Sequence, residues 1–465
     1  MRRIIAPKFC MGEEVEYLTA LRDPSRRDSG EFESQFFDAT SKLTPTISAS
    51  AGVFSMFGRH YFDSGHLELA TAECRSPFDV ELMRVSQEHL ARHACCRDDV
   101  CNESMVIADV GYGGILAAGS PAWGCHENYL VTRNPADIAT AVVPFFATRC
   151  FLGAGGMDFQ QDAFVGSPRL RFLERDIFPG YNNGRALAAR GLRDNYAGSD
   201  LGYFRYHCTA GDSNRSKFSR CLRLGATALV LAAAVESPDA FVPLKQWIAP
   251  DLRRRSFWMR AVERFNHFAS LGQPLRVDAW SLRVQRLFLD ATRRYADRCV
   301  SLPDWTEVIF EMWESTLGAI TSDDQPWLAE RLDPWIKYRF LTEFIDELGA
   351  TWDEAATDLS LGSRLAVVNQ GYHEFVGPLK IFQEQCEGGL VAPEAVPSPP
   401  LGFSSISRRL HTRADARAKI IADLWHCDDV TLGWDRVRTS HSDELIMMPD
   451  PFDTQLPCQL GESDD

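Results

Sequence analysis

HYFDSGHLELATAEC, residues 60–74, decides how the rest of the chain is read. It sets Asp63, Glu68 and Glu73 among apolar residues and two histidines. Side chains two apart in a strand share a face. Tyr61 and Asp63 therefore point one way, and Glu68 follows beyond a Gly-containing turn. Strict alternation puts Glu73 on the opposite face from Glu68, so a bend is needed to bring both in. Upstream, MGEEVEYL (11–18) sets Glu14 and Glu16 on one face, with Val15 and Tyr17 opposite. If these two strands pair, four oxygen donors line one patch. Two carboxylates about 4 Å apart repel by about 4 kcal/mol at an effective dielectric near 20. Several such pairs would threaten a fold worth roughly 5–15 kcal/mol in all. Either the carboxylates splay into water as a solvated acidic face, or a cation neutralises them. Hard oxygen ligands with open positions suit Mg²⁺ together with phosphates.

Other polar clusters extend the pattern. GCHENYL (124–130) sets His126, Glu127 and Asn128 beside apolar residues. YFRYHCTAGDSN (203–214) places Arg205 and His207 on one strand face, then turns at Gly211 into Asp212, Ser213 and Asn214. Arginine and histidine there have the chemistry to meet phosphate oxygens. GDSN reads equally as a helix N-cap. GAGG (153–156) is followed by no GK[ST], so it is no Walker loop. No GxSxG occurs, so nothing signals a hydrolase nucleophile elbow.

The chain has 465 residues, 45% of them hydrophobic, which suggests two or three domains with sizeable cores. No apolar run reaches membrane-spanning length, and LGATALVLAAAV (224–235) reads as a buried helix. The N-terminus lacks the long apolar stretch of a signal peptide, so a cytoplasmic protein is expected. The thirteen cysteines are then read as free thiols. Cys95, Cys96 and Cys101 with His89 and His93 lack paired zinc-ligand spacing. A net charge of −15 argues against nucleic acid as a partner. The basic run DLRRRSFWMR (251–260) is either a dock for an acidic partner or lipid, or a solvated face.

Residues 1–20 read as a strand and 45–75 as two strands with a turn. Helices are expected at 78–97, from Asn134–Pro135 onward, through SKFSRCLRLGATALVLAAAVES (216–237), and at 278–300, 305–317 and 326–349. VAPEAVPSPPLG (391–402) reads as an extended linker. It divides the chain into 1–390, the linker, and a C-terminal piece, 403–465, with an acidic tail. Strands that do not alternate regularly with helices argue for α+β.

Taken together, MGEEVEY, HYFDSGHLELATAEC, GCHENYL, FFATRCFLGAGG, HCTAGDSN, LRLGATALVL and the late PDPF resemble the Pup–protein ligase and Pup deamidase (depupylase) family. That family belongs to the glutamine-synthetase-like carboxylate–amine ligases. The resemblance implies a curved, mostly antiparallel sheet cradle backed by helices, with a small C-terminal domain and no membrane segment. It implies ATP and Mg²⁺ as cofactors, with metal ligands at Glu14, Glu16, Tyr61, Glu68, Glu73 and His207. It implies a catalytic aspartate at Asp63, and nucleotide contacts at Arg205, His207, Ser213, Asn214 and Trp425. Its chemistry is activation of a Pup-like protein's terminal glutamate by ATP, then attack by a lysine amine of a target protein. The partners would be that small acidic protein and its lysine-bearing targets.

The two branches of the family stay open on sequence. ATAEC, GCHENY, GDSN and the short span from Glu16 to Asp63 resemble the ligases. EVEY and the five-residue step from Asp63 to Glu68 resemble the deamidases. VIADVGYGG stands where the family carries Lys-Asn-Asn, and LRDNYAGSD only faintly matches its TRDEPHAD, which bears on the substrate groove. A catalytically degenerate nucleotide- or protein-binding member, and a small-molecule ligase, are the further alternatives.

Overall fold

The computed structural model describes residues 3–21, 29–95, 105–109, 112, 116, 123–178, 186–189, 199–236, 241, 257–392, 410–439 and 445–455. The arginines at 253–255, residues 393–402 of the linker, the acidic tail, Cys96, Cys101 and most of LRDNYAGSD lie outside the described residues.

A nine-stranded antiparallel sheet organises the molecule. Its strands in chain order are β1 (Met11–Leu21), β2 (Ile47–Ser48), β3 (Val53–Ser55), β4 (Gly58–Asp63), β5 (His66–Thr71), β6 (Met105–Ala108), β7 (Cys125–Val131), β8 (Phe204–Gly211) and β9 (Glu374–Val376). The order across the sheet is β8-β7-β1-β5-β4-β3-β2. Strand β6 pairs with the C-terminal half of β1, and β9 pairs with β6. The mixed α+β class is as expected. The run 45–75 is four short strands rather than two, because the backbone reverses at Gly52 (φ 71°) and kinks at Gly58 (φ 131°). A Cβ at Gly58 would lie 2.1 Å from the Ala70 carbonyl oxygen, so only glycine lets β4 approach β5 there. The first strand begins at Met11, after a two-residue strand, Ile4–Ile5, that pairs in parallel with Cys299–Val300.

The helices needed here are α1 (Ser29–Leu43), α2 (Pro77–Cys95), α3 (Pro135–Thr148), α4 (Lys217–Glu236), α5 (Ala279–Ala296), α6 (Trp305–Ser322), α7 (Asp333–Glu347), α8 (Leu359–Tyr372) and α9 (Arg413–Leu424). Helix α2 starts where Ser76 Oγ accepts from Asp79 N (3.0 Å), with Pro77 in the first turn. The expected 326–349 helix breaks into Gln325–Ala329 and α7. Leu332 is extended, and Pro334 opens the new helix. Helix α4 is long and apolar enough to cross a membrane, yet 94% of its window is buried inside the protein. It is the core helix. At Gly225 a Cβ would meet Ile309 at 2.5 Å, so α4 and α6 cross closely there.

The side of the sheet that faces these helices carries buried charge as well as apolar groups. Glu13 on β1 pairs with Arg84 of α2 (2.6 Å) and Arg223 of α4 (2.5 Å). Glu127 on β7 pairs with Arg149 (2.6 Å) and Arg223 (2.9 Å). Mutual compensation makes such burial tolerable. The C-terminal strands β10 (Val430–Leu432), β11 (Arg436–Thr439) and β12 (Leu445–Met447) form a small sheet. Its core, with Ile420, Ile421, Val437 and Ile446, is completed by Ile47 and Phe54 from the edge of the main sheet.

Candidate active site

Alternation on β1 buries Glu13, Val15 and Tyr17 and leaves Glu14 and Glu16 on the opposite, concave face. The expected direct pairing of β1 with β4 is corrected by the structure: β5 lies between them. The register nevertheless lines the acidic groups up. Glu16 is opposite Glu68, and Glu68 is opposite Tyr61. On the other side of β1, Glu14 is opposite His126, and His207 on β8 is opposite Asn128. One polar face thus runs across five strands. Asp63 closes the row at the tip of the β4–β5 hairpin, exposed, opposite His66. The turn is two residues long, Ser64 and Gly65, both at positive φ (52° and 83°), which keeps the flanking register strict.

The side chains converge on Glu14. The Tyr61 hydroxyl donates to its Oε1 in a very short hydrogen bond. Its Oε2 lies 3.5 Å from His126 Nδ1 and 3.7 Å from Arg205 Nη2. Arg205 Nε donates to Asn128 Oδ1 (2.7 Å), which holds the guanidinium over the site. Glu16 accepts from Gly124 N at 2.5 Å and lies 4.0 Å from His126 Nε2. One ligand atom from each of Glu14, His126 and His207 lies within 4.8 Å of the others. His207 stacks edge-on against His126 (4.9 Å), and its Nε2 is enclosed with no hydrogen-bond partner.

Charge is divided unequally. Burial works to raise Glu14, but the hydrogen bond from His126 and the charges of Arg205, His126 and His207 hold it well below the usual carboxylate range. Glu68 goes the other way. Burial, then the Glu14 charge, with Glu16 and Asp63 adding, push it up to about 8 despite the Tyr61 hydrogen bond. Burial, with Arg205 and His126 adding, pushes His207 well below its ordinary value, so it is a neutral imidazole with a free lone pair. A crowd of carboxylates that cannot all ionise, beside an unpartnered neutral histidine, is the electrostatic signature of a site built around missing positive charge.

Four sequence-nominated residues are placed elsewhere. Glu73 is corrected as a metal ligand. Past the end of β5 its carboxylate turns to the C-terminal piece, where Arg413 Nε (2.9 Å) and both terminal nitrogens of Arg417 bind it. The bend that would have returned it to the row does not occur. Asn214 is corrected as a nucleotide contact, since its amide is committed to Gly153 O (2.8 Å) and Asp333 Oδ2 (3.0 Å). Ser213 is enclosed beside it, 1% exposed. The capping role expected of GDSN falls on Ser216, whose Oγ accepts from Ser219 N (3.3 Å). Trp425 ends α9 with its indole half exposed and meets His426 edge-on.

His126 is the site residue that sequence reasoning named without a role. Its signal was the alternation in GCHENYL, which puts it on one face with Asn128 and Glu127 on the other. Arg59 also stands in the row, its guanidinium 4.5 Å from the centre of the Tyr61 ring. Nothing in its spacing distinguished it from a surface arginine.

Comparison with known proteins agrees with this geometry. The family model for Pup-ligase protein matches residues 13–438. The Pup–protein ligase of Jonesia denitrificans is 26% identical over 426 residues, covering 87% of this chain and 86% of that one. The depupylase of Acidothermus cellulolyticus is 28% identical over 355 residues, covering 72% and 65%. Among solved structures, the ligase PafA in complex with the prokaryotic ubiquitin-like protein Pup superposes with a TM-score of 0.72 at 18% identity, covering 96% of this chain and 90% of that one. The Pup ligase PafA in complex with ADP gives 0.63 at 17%, covering 92% of both chains. At such identities the structural likeness speaks for the fold.

Proposed function

The chain belongs to the Pup-ligase family, and from that premise we propose that it is an ATP- and Mg²⁺-dependent carboxylate–amine ligase. It joins the side-chain carboxylate of the C-terminal glutamate of a Pup-like protein to a lysine amine of a target. The observation that carries this is the polar face itself: Glu14, Glu16, Tyr61, Glu68, His126 and His207 crowded together, with exposed Asp63 at its rim.

The donor set fits a divalent cation. His207 Nε2 lacks a partner, and Glu68 is held half-protonated near neutral pH by its acidic neighbours. Glu14, Glu16, Tyr61, Glu68 and His207 would hold Mg²⁺, with His126 alongside. When bound, the cation neutralises charge on the transferring phosphoryl group. Arg205 is placed to bind phosphate oxygens and to keep them from repelling Glu14. The glutamate carboxylate attacks the γ-phosphorus, ADP leaves, and an acyl phosphate results. Asp63 takes a proton from the lysine ammonium. The freed amine attacks the acyl carbon, and phosphate departs as the isopeptide bond forms.

The likeness to a depupylase supports a second reading, hydrolysis of the same bond or of a terminal amide at the same aspartate. One assay separates the two. Purified protein with Mg·ATP receives Pup-like peptides ending in Glu or in Gln and a lysine-bearing acceptor, and products are read by mass spectrometry. Loss of water between the Glu peptide and acceptor, with ADP formed in step, is expected. Conversion of Gln to Glu without stoichiometric ATP use would instead make it a hydrolase.

We assign residues 1–390 to the catalytic body, 391–402 to a linker and 403–465 to a small C-terminal domain that borrows Ile47 and Phe54 for its core. We place the enzyme in the cytoplasm. Free thiols at all ten described cysteines support this.

A further inference from the structure

The Trp123 indole N–H donates to His66 Nδ1 at 2.7 Å, and the two rings meet edge-on. An indole nitrogen can only donate, so Nδ1 is the acceptor and the neutral imidazole carries its proton on Nε2. Trp123 is itself fixed. It is 6% exposed, packs on Ala108, Leu18 and Val106, and its carbonyl accepts from Arg169 Nη1 (3.3 Å). It therefore approaches His66 from the β1 side. The ring nitrogens lie on opposite edges of an imidazole, so Nε2–H is turned toward β4. There, directly across the hairpin, stands Asp63. Directly opposed residues flanking a two-residue turn bring their side chains within reach.

We propose that His66, locked in its Nε2–H tautomer by Trp123, is a positioning residue that presents a fixed hydrogen-bond donor to the Asp63 carboxylate. This rests on the reading of Asp63 as the group that takes the amine proton. Asp63 is exposed on a hairpin tip, where water would leave its rotamer free. A single aimed donor fixes one carboxylate oxygen and leaves the other to accept the proton. Orientation held in advance removes reorganisation from the reacting step. No change in the charge of His66 is required.

The test uses the full chain with ¹⁵N-labelled histidine, and the His66 signals are assigned by their loss in His66→Gln. The wild type should show the Nε2–H tautomer, and Trp123→Phe a mixture of tautomers with the same melting temperature within about 2–4 °C. Trp123→Phe and His66→Ala should lower kcat about tenfold, the worth of one net hydrogen bond, with KM for ATP unchanged. His66→Gln, whose amide N–H sits near the Nε2 position, should retain activity within about threefold. An unchanged tautomer in Trp123→Phe, an unchanged kcat once the tautomer is lost, or His66→Gln as impaired as His66→Ala would each overturn the proposal. A wild type without turnover on either the Glu or the Gln peptide would sink the reading of Asp63, and this inference with it. Turnover that is indifferent to Trp123 would sink this inference alone.

Discussion

Glu68 stands between Glu16 on β1 and Tyr61 on β4, and its position explains a conditional instability. Its carboxyl is raised from 4.5 to about 8 in the folded chain by burial and by Glu14. Between those values the folded state holds a proton that the unfolded state has lost. Stability therefore falls as pH rises through that window. In EDTA, calorimetry should show the melting temperature dropping from pH 5 to pH 8.5 by on the order of a few degrees. Glu68→Gln should flatten that slope, and millimolar Mg²⁺ should flatten it in the wild type alone. A slope unchanged by Glu68→Gln would remove Glu68 from the charge conflict. Asp63 carries the opposite expectation. Asp63→Asn should cost about 10²–10⁴ in kcat, the usual worth of a positioned acid–base group, while leaving nucleotide affinity measured by calorimetry unchanged. Wild-type turnover in that variant would exclude Asp63 as the base.

Helix α9 depends on one acidic residue of the body. Glu73, just past β5, accepts from Arg413 and Arg417 of α9, whose side chains are 4% and 3% exposed. The Thr412 hydroxyl adds a bond to the Glu73 carbonyl (2.8 Å). Removing Glu73 leaves two buried guanidinium groups without their counter-charge, at a cost of about 3–5 kcal/mol. Glu73→Gln should loosen α9 and expose the C-terminal piece to limited proteolysis, read as a fragment ending before residue 410. Its signature is selective, because the β1–β5 ladder remains intact. A proteolysis pattern identical to wild type would show that the shared core of Ile47, Phe54, Ile420 and Val430 holds this piece unaided.

At the scale of the molecule, the sheet separates two kinds of charge. The helix side carries compensated charge: Arg223, 1% exposed, joins Glu13 of β1 to Glu127 of β7. The concave side carries uncompensated charge, and that is where the site lies. Burial works to raise Glu13, yet Arg84 and Arg223 hold it down to about 2. Its contribution is present above pH 4.5 and is lost as pH falls toward 2. Arg223→Met should destabilise the whole chain by about 3–5 kcal/mol and raise the pH of acid unfolding, both read by denaturant melts. A variant as stable as wild type would mean that Arg84 alone compensates Glu13.

Much of this was legible in the residues because the rule needed was local. Alternation in MGEEVEYL placed Glu14 and Glu16 together, and the Gly-containing turn after Asp63 announced a hairpin. The apolar run in 224–235 announced the core helix. The motifs in their order, with the family resemblance they carry, pointed to the chemistry. What alternation could not supply was which strand lies beside which, since that depends on contacts between residues far apart in the chain. Only the tertiary structure inserted β5 between β1 and β4, and so made Glu68 the buried member of the row. Only it gave His126 a place beside Glu14. Glu73 shows the limit most plainly. Its neighbours in sequence promised a ligand, but two arginines more than three hundred residues away offered its charge a nearer partner, and a buried carboxylate goes where its charge is compensated.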